Sequence, residues 1–117
     1  MIVEERIYTL QAGQAAAYLT AYEAEGLAIQ KPILGRMVGY YSTEFGPLNQ
    51  VVHLWAYEDL AERAERRARL LADPAWKAYA AKVRPMVVHQ ENKLLLPAPF
   101  MTVLCQDPSV SPAGQTH

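Results

Sequence analysis

Residues 34–57, LGRMVGYYSTEFGPLNQVVHLWAY, limit what this chain can fold into. Residues 38–41 and 51–57 are rich in β-branched and aromatic side chains, which suit a pleated surface. Gly46 and Pro47 between them supply turn chemistry, one tolerating positive φ and the other pre-setting a turn corner. The connection is too long for a two-residue hairpin. In the second strand Val51, His53, Trp55 and Tyr57 alternate with Gln50, Val52, Leu54 and Ala56, and neither set is plainly polar. A strand apolar on both faces is covered on both. The chain's own helices supply one cover, and a second subunit is the expected other.

The remaining segments supply those helices and two more strands. Residues 2–10 read as a first strand, and Gly13 marks a turn. Residues 15–29 read as a helix with Ala15, Tyr18, Tyr22 and Ile29 near one face. Gly26 marks its end or a bend, and Pro32 is expected to bar its continuation. After the hairpin, Asp59 with Glu62 three residues on forms an N-terminal capping pattern. The helix it opens shows an apolar stripe of Leu60, Ala64, Ala68 and Leu71. Its run ERAERRAR interleaves acids and bases at helical phase, with Glu62 facing Arg66 and Glu65 facing Arg69, and reads as a solvated face rather than a nucleic-acid patch. Asp73-Pro74 breaks this region and opens a further helix, in which Trp76, Tyr79, Ala80 and Val83 recur at helical spacing. Residues 86–96 read as the last strand, with Val87, His89, Glu91, Lys93 and Leu95 sharing one face, and Pro97 ends the ladder.

The order β-α-β-β-α-β, with its second helical region broken, is the ferredoxin-like pattern of the α+β class. It gives one antiparallel sheet with helices on one face. The bare opposite face predicts a homodimer packed sheet to sheet as a dimeric α/β-barrel. At 117 residues the chain suits one domain, assigned to residues 1–100, with residues 101–117 expected to form a flexible tail. A net charge of −1 gives no electrostatic case for nucleic acid or an anionic membrane. No apolar run approaches the roughly 20 residues of a membrane span. Neither a basic leader nor a disulfide-forming cysteine pair is present, Cys105 being alone, so the expected location is cytoplasmic.

Gly39-Tyr40-Tyr41, the turn Gly46-Pro47-Leu48-Asn49, the triplet His53-Leu54-Trp55, and Asp73-Pro74 before Trp76 together resemble the NIPSNAP family, over residues 2–100. The resemblance implies a ferredoxin-like dimeric α/β-barrel. It carries over no mechanism, because the surrounding barrel superfamily takes in monooxygenases, cyclases, isomerases and haem-binding proteins.

In such barrels ligands often sit between the sheet and its own helices, which ranks the candidates. His53 is the proposed catalytic group, a general base near neutral pH, and the plainer alternative is a buried, hydrogen-bonded core histidine. Trp55, Tyr40, Tyr18 and Tyr22 are candidate binding residues, and Arg36 could anchor a carboxylate or form a structural ion pair. There is no HxH, HExxH or cysteine cluster, no Gly-rich phosphate loop and no GxSxG elbow, so neither metal nor cofactor is expected. Three readings remain: a small-molecule pocket with cofactor-independent chemistry, a non-catalytic homodimeric interaction module, and haem or porphyrin binding through His53 or His89.

Overall fold

The computed structural model describes residues 1–101, so the tail from residue 102 onward, with Cys105, lies outside the described residues. The elements are β1 (Ile2–Leu10), α1 (Ala15–Ala21), α2 (Leu27–Leu34), β2 (Arg36–Ser42), β3 (Gln50–Tyr57), α3 (Leu60–Ala72), α4 (Pro74–Val83) and β4 (Val87–Leu95). The strands form one antiparallel sheet in the order β2-β3-β1-β4, the ferredoxin-like arrangement. In β3, Val51, His53, Trp55 and Tyr57 are buried against the helices as their alternation requires.

The first helical region runs farther than its proline suggested. A π turn over Tyr22–Gly26 joins α1 to α2, closed by the Leu27 N–H bonding the Tyr22 carbonyl. The buried residues Tyr18, Tyr22, Gly26, Gln30 and Leu34 recur every four positions. In a regular α-helix a four-residue step drifts by roughly 40°. The wider π turn reduces that drift and keeps the stripe on the sheet. Gly26 is required there, because a Cβ would lie 2.7 Å from the Tyr79 ring and 2.8 Å from Tyr22. Pro32 sits inside α2 instead of ending it. Pro32 and Ala28, whose carbonyl loses its i+4 donor, are both exposed, so solvent can replace the missing bond. The helix ends at Gly35, with φ of 94° and its N–H bonding the Lys31 carbonyl.

At the start of α3, Asp59 accepts from the Glu62 N–H at 2.8 Å, while Glu62 reaches the Glu58 N–H at 2.6 Å. The expected stripe of this helix is not its inner face. Leu60 and Leu71 are 58% and 57% exposed, and Ala64 and Ala68 are exposed too. Leu70 is buried, and Arg63, Arg66 and Arg67 are half-buried. Arginines face inward because they meet acceptors there: Arg63 binds Glu4, and Arg66 Nη1 donates to the Ile33 carbonyl at 3.0 Å. Asp73 opens α4 by accepting from the Trp76 N–H at 2.9 Å.

A register shift between Thr9 and Leu10 lets β4 bulge at Val88, so Val87 pairs with Leu10 on the helix face while His89, Glu91, Lys93 and Leu95 hold the outer face. The expectation that Val87 shares their face therefore fails at the bulge. The outer face leaves Val38, Tyr41 and Leu95 exposed.

Candidate functional site

A cavity of about 280 Å³ lies between the sheet and the helices. Strand alternation brings Arg6 and Tyr8 of β1, Tyr40 of β2, His53 of β3 and Gln90 of β4 to its floor. The helices close it with Tyr18, Tyr22 and Gln30 on one side and Arg67, Leu70, Trp76, Tyr79 and Val83 on the other.

Its wall is an aromatic column. Tyr22 stacks on Tyr40 at 4.5 Å between ring centroids, and Tyr40 stacks on His53 at 4.6 Å, 15° from parallel. Tyr8 meets His53 edge-on at 5.0 Å, and Tyr79 closes the far side against Trp76 at 5.2 Å. Such contacts fix ring positions and add about 0.5–1.5 kcal/mol each beyond burial.

His53 is 1% exposed. Its Nδ1 accepts the Trp55 indole N–H at 2.7 Å. An indole nitrogen only donates, so Nδ1 is the acceptor and the proton of the neutral ring is on Nε2. Nε2 has no hydrogen-bond partner among the described residues. Burial, joined by the positive charge of Arg6, lowers the ring's pKa from an ordinary 6.5 to about 3, so it is neutral at physiological pH. Burial likewise raises the phenols of Tyr18, Tyr22 and Tyr40 far above their ordinary value, and pushes Tyr79 up to about 12. Tyr22 donates to Gln30 Oε1 at 2.6 Å, whereas the buried Tyr79 hydroxyl has no partner among the described residues.

Beside the cavity a second polar group is built differently. Glu4 is 2% exposed and accepts from Arg63 in two-pronged fashion at 3.1 and 2.8 Å, from Arg6 at 3.0 Å and from Asn92 at 2.8 Å. Burial raises its pKa, but the hydrogen bonds from Arg63 and Asn92 and the charge of Arg6 outweigh it and hold the carboxyl at about 2. Arg6 is engaged twice, its Nε donating to the Tyr8 hydroxyl at 2.9 Å. Arg67 has no acceptor or ion pair among the described residues, and burial, with the charge of Arg6, lowers its pKa.

Of the residues singled out in the sequence, His53, Tyr40, Tyr18 and Tyr22 come together in the cavity wall. Trp55 is fully buried behind it and acts on it through His53. Arg36 is elsewhere, paired with Glu58 at 3.2 Å, and His89 is exposed on the outer face of an edge strand. The sequence reading missed Arg6, Tyr8, Arg67 and Tyr79. The first two were legible in the alternation Ile2, Glu4, Arg6, Tyr8, Leu10. Arg67 was hidden in a run that reads as solvated surface.

Residues 3–102 match the NIPSNAP family model. The chain is 36% identical over 85 residues to a NipSnap homolog of Dictyostelium discoideum, covering 73% of this chain and 36% of that protein. It is 31% identical over 99 residues to human NipSnap homolog 3B, covering 85% of this chain and 40% of that one. It therefore spans well under half the length of these curated relatives. Among solved structures, an uncharacterized NIPSNAP-like domain protein from Burkholderia xenovorans is 56% identical, with a TM-score of 0.84 over 85% of this chain and 86% of that one. A putative antibiotic biosynthesis monooxygenase from Nitrosomonas europaea, 12% identical with a TM-score of 0.59 over 83% of this chain and 98% of that one, shares the fold. The chain belongs to the NIPSNAP family.

Proposed function

We propose that this chain binds a small molecule in the cavity between sheet and helices, within a homodimer closed through the outer sheet face. The observation that carries the reading is a pair of buried polar groups in one cavity wall, His53 Nε2 and the Tyr79 hydroxyl, that have no partner among the described residues. Leaving a buried donor unsatisfied costs about 1–3 kcal/mol, a cost that a ligand's oxygen would offset. His53 serves as a hydrogen-bond donor rather than a general base, because its Nδ1 lone pair is engaged by Trp55. The chemistry these groups support unaided is polarisation of a ligand carbonyl by Nε2–H, with tyrosine rings excluding water. At about 280 Å³ the cavity suits a compact ligand, near the lower end of the ~300–1,000 Å³ typical of ligand sites, and this weighs against a porphyrin. A cytoplasmic location, argued from the lone cysteine, belongs to the same reading.

Native mass spectrometry of freshly purified, untagged protein tests both halves. The expected species is twice the 13.1 kDa chain carrying an adduct, and the adduct should vanish when Ala80→Leu narrows the cavity. A monomer would overturn the dimer, and an adduct indifferent to Ala80→Leu would overturn the cavity. The second reading, a non-catalytic interaction module, draws on the exposed Leu60 and Leu71 of α3. A dimer without an adduct favours it.

A further inference from the structure

We propose that the cavity takes a small organic carboxylate with a flat apolar body, its carboxylate held by Arg67 and the Nε2–H of His53. This rests on the pocket reading above and names its ligand class. The cavity lining contains three arginines, Arg6, Arg67 and Arg84, and no aspartate or glutamate. Arg6 is committed to Glu4 and Tyr8, and Arg84 is exposed. Arg67 is the half-buried one whose guanidinium meets no acceptor among the described residues. On the same inner face of α3, one turn earlier, Arg63 is engaged by Glu4 through two of its nitrogens. The difference marks Arg67 as the arginine with binding capacity to spare.

The second observation is independent of it. The His53 ring is nearly fully buried, is fixed as an Nε2–H donor by Trp55, and has no partner for that donor among the described residues. An arginine fork plus one neutral N–H matches the acceptor sites of a carboxylate. A phosphate dianion fits less well. No glycine-rich loop lines the cavity, and the Trp76 N–H in the first turn of α4 is already taken by Asp73, so no cluster of free backbone N–H groups is offered to a dianion. Trp76, Tyr79, Leu70 and Val83 offer the remaining wall, a surface for an apolar or aromatic body.

The test is calorimetric titration of the full chain with benzoate, trans-cinnamate and phenylpyruvate, set against benzamide, cinnamamide and phenyl phosphate. At least one acid should bind, with its amide weaker by about tenfold or more, as expected for loss of a charge-assisted hydrogen bond. Arg67→Gln should weaken the acid by a similar factor. Arg67→Lys should restore part of it. Arg69→Gln, an exposed control on the same helix paired with Glu65, should change nothing. Should Arg67→Gln fold poorly, the comparison of acid with amide in the unaltered protein decides alone. Acid and amide binding equally overturns the carboxylate while leaving the pocket standing. Phenyl phosphate binding more tightly than every acid overturns it in favour of a phosphoanion. No binding by any probe overturns the carboxylate, and the pocket is then judged separately by its native adduct.

Discussion

Arg63 and Arg67 lie one turn apart on α3, both turned toward the sheet, and meet opposite circumstances. Arg63 closes a buried cluster in which a single carboxylate, Glu4, takes hydrogen bonds from two arginines and an asparagine. Arg67 borders a cavity whose donors, His53 Nε2 and the Tyr79 hydroxyl, have no partners among the described residues. Arg67 is set deeper than Arg63 yet has no acceptor among the described residues, so the contrast lies in satisfaction. A carboxylate whose acceptor sites are filled specifies the fold, and a cavity wall whose donors are unfilled among the described residues has binding capacity left over. Family membership and fold do not assign a reaction, so this contrast is the most specific functional information in the chain.

The contrast breaks if the two arginines respond alike. Glu4→Gln should destabilise by about 3 kcal/mol in urea unfolding, because it leaves two guanidinium groups facing a neutral amide. Arg63→Ala should cost nearly as much. Arg67→Ala should lie within about 0.5 kcal/mol of the parent, or stabilise it, since it removes a half-buried charge without a partner. Equal losses at 63 and 67 would mean that the cavity wall is as structural as the Glu4 cluster.

Acid unfolding sharpens the same comparison on a pH axis. Glu4 has a depressed folded pKa, so its stabilising contribution is present above about 4.5 and is lost as pH falls toward about 2, a loss on the order of 3 kcal/mol. His53 is also depressed, from 6.5 to about 3, and the unfolded chain binds its proton first. Stability therefore falls from about pH 6.5 downward, well before the Glu4 cluster contributes to the loss. In His53→Gln the decline should begin only near pH 4.5. A variant that still weakens between pH 6.5 and 5 would show that a group other than His53 governs that limb.

Much of this could be read in advance, and the exceptions share a cause. Strand alternation alone put Val51, His53, Trp55 and Tyr57 on the buried face, and a turn's worth of proline and aspartate marked the break before α4. Local pattern fails where a tertiary partner outweighs it. The arginines of ERAERRAR read as solvent-facing until Glu4 and the Ile33 carbonyl are known to lie beneath them. Pro32 reads as a stop unless the exposed side of the helix is known to face solvent there. The period-four stripe from Tyr18 to Leu34 reads as a drifting face unless a π turn is inserted, and that turn depends on Gly26 fitting against two tyrosine rings. The site was legible at His53, Tyr40, Tyr18 and Tyr22. At Arg36 the ion-pair alternative is the one the structure shows, with Glu58 beyond the hairpin as the partner.

The smallest effect is the most discriminating, because it compares two tyrosines whose ring centroids lie 6.4 Å apart. The Tyr22 hydroxyl donates to the buried Gln30, so Tyr22→Phe strands the amide oxygen and should cost about 1–2 kcal/mol. The Tyr79 hydroxyl is buried without a partner among the described residues, so Tyr79→Phe removes a group already carrying a desolvation penalty and should be neutral or stabilising by up to about 1 kcal/mol. Thermal unfolding of both variants, each with and without a bound probe acid, separates structure from binding. Without ligand only Tyr22→Phe should lower Tm. With ligand, Tyr79→Phe should show a smaller ligand-induced rise than the parent, since the donor it lacks is one the cavity holds in reserve. If Tyr79→Phe instead lowers Tm as much as Tyr22→Phe without ligand, its hydroxyl is already satisfied within the fold, and the division between a saturated cluster and an unsaturated cavity does not hold at that residue.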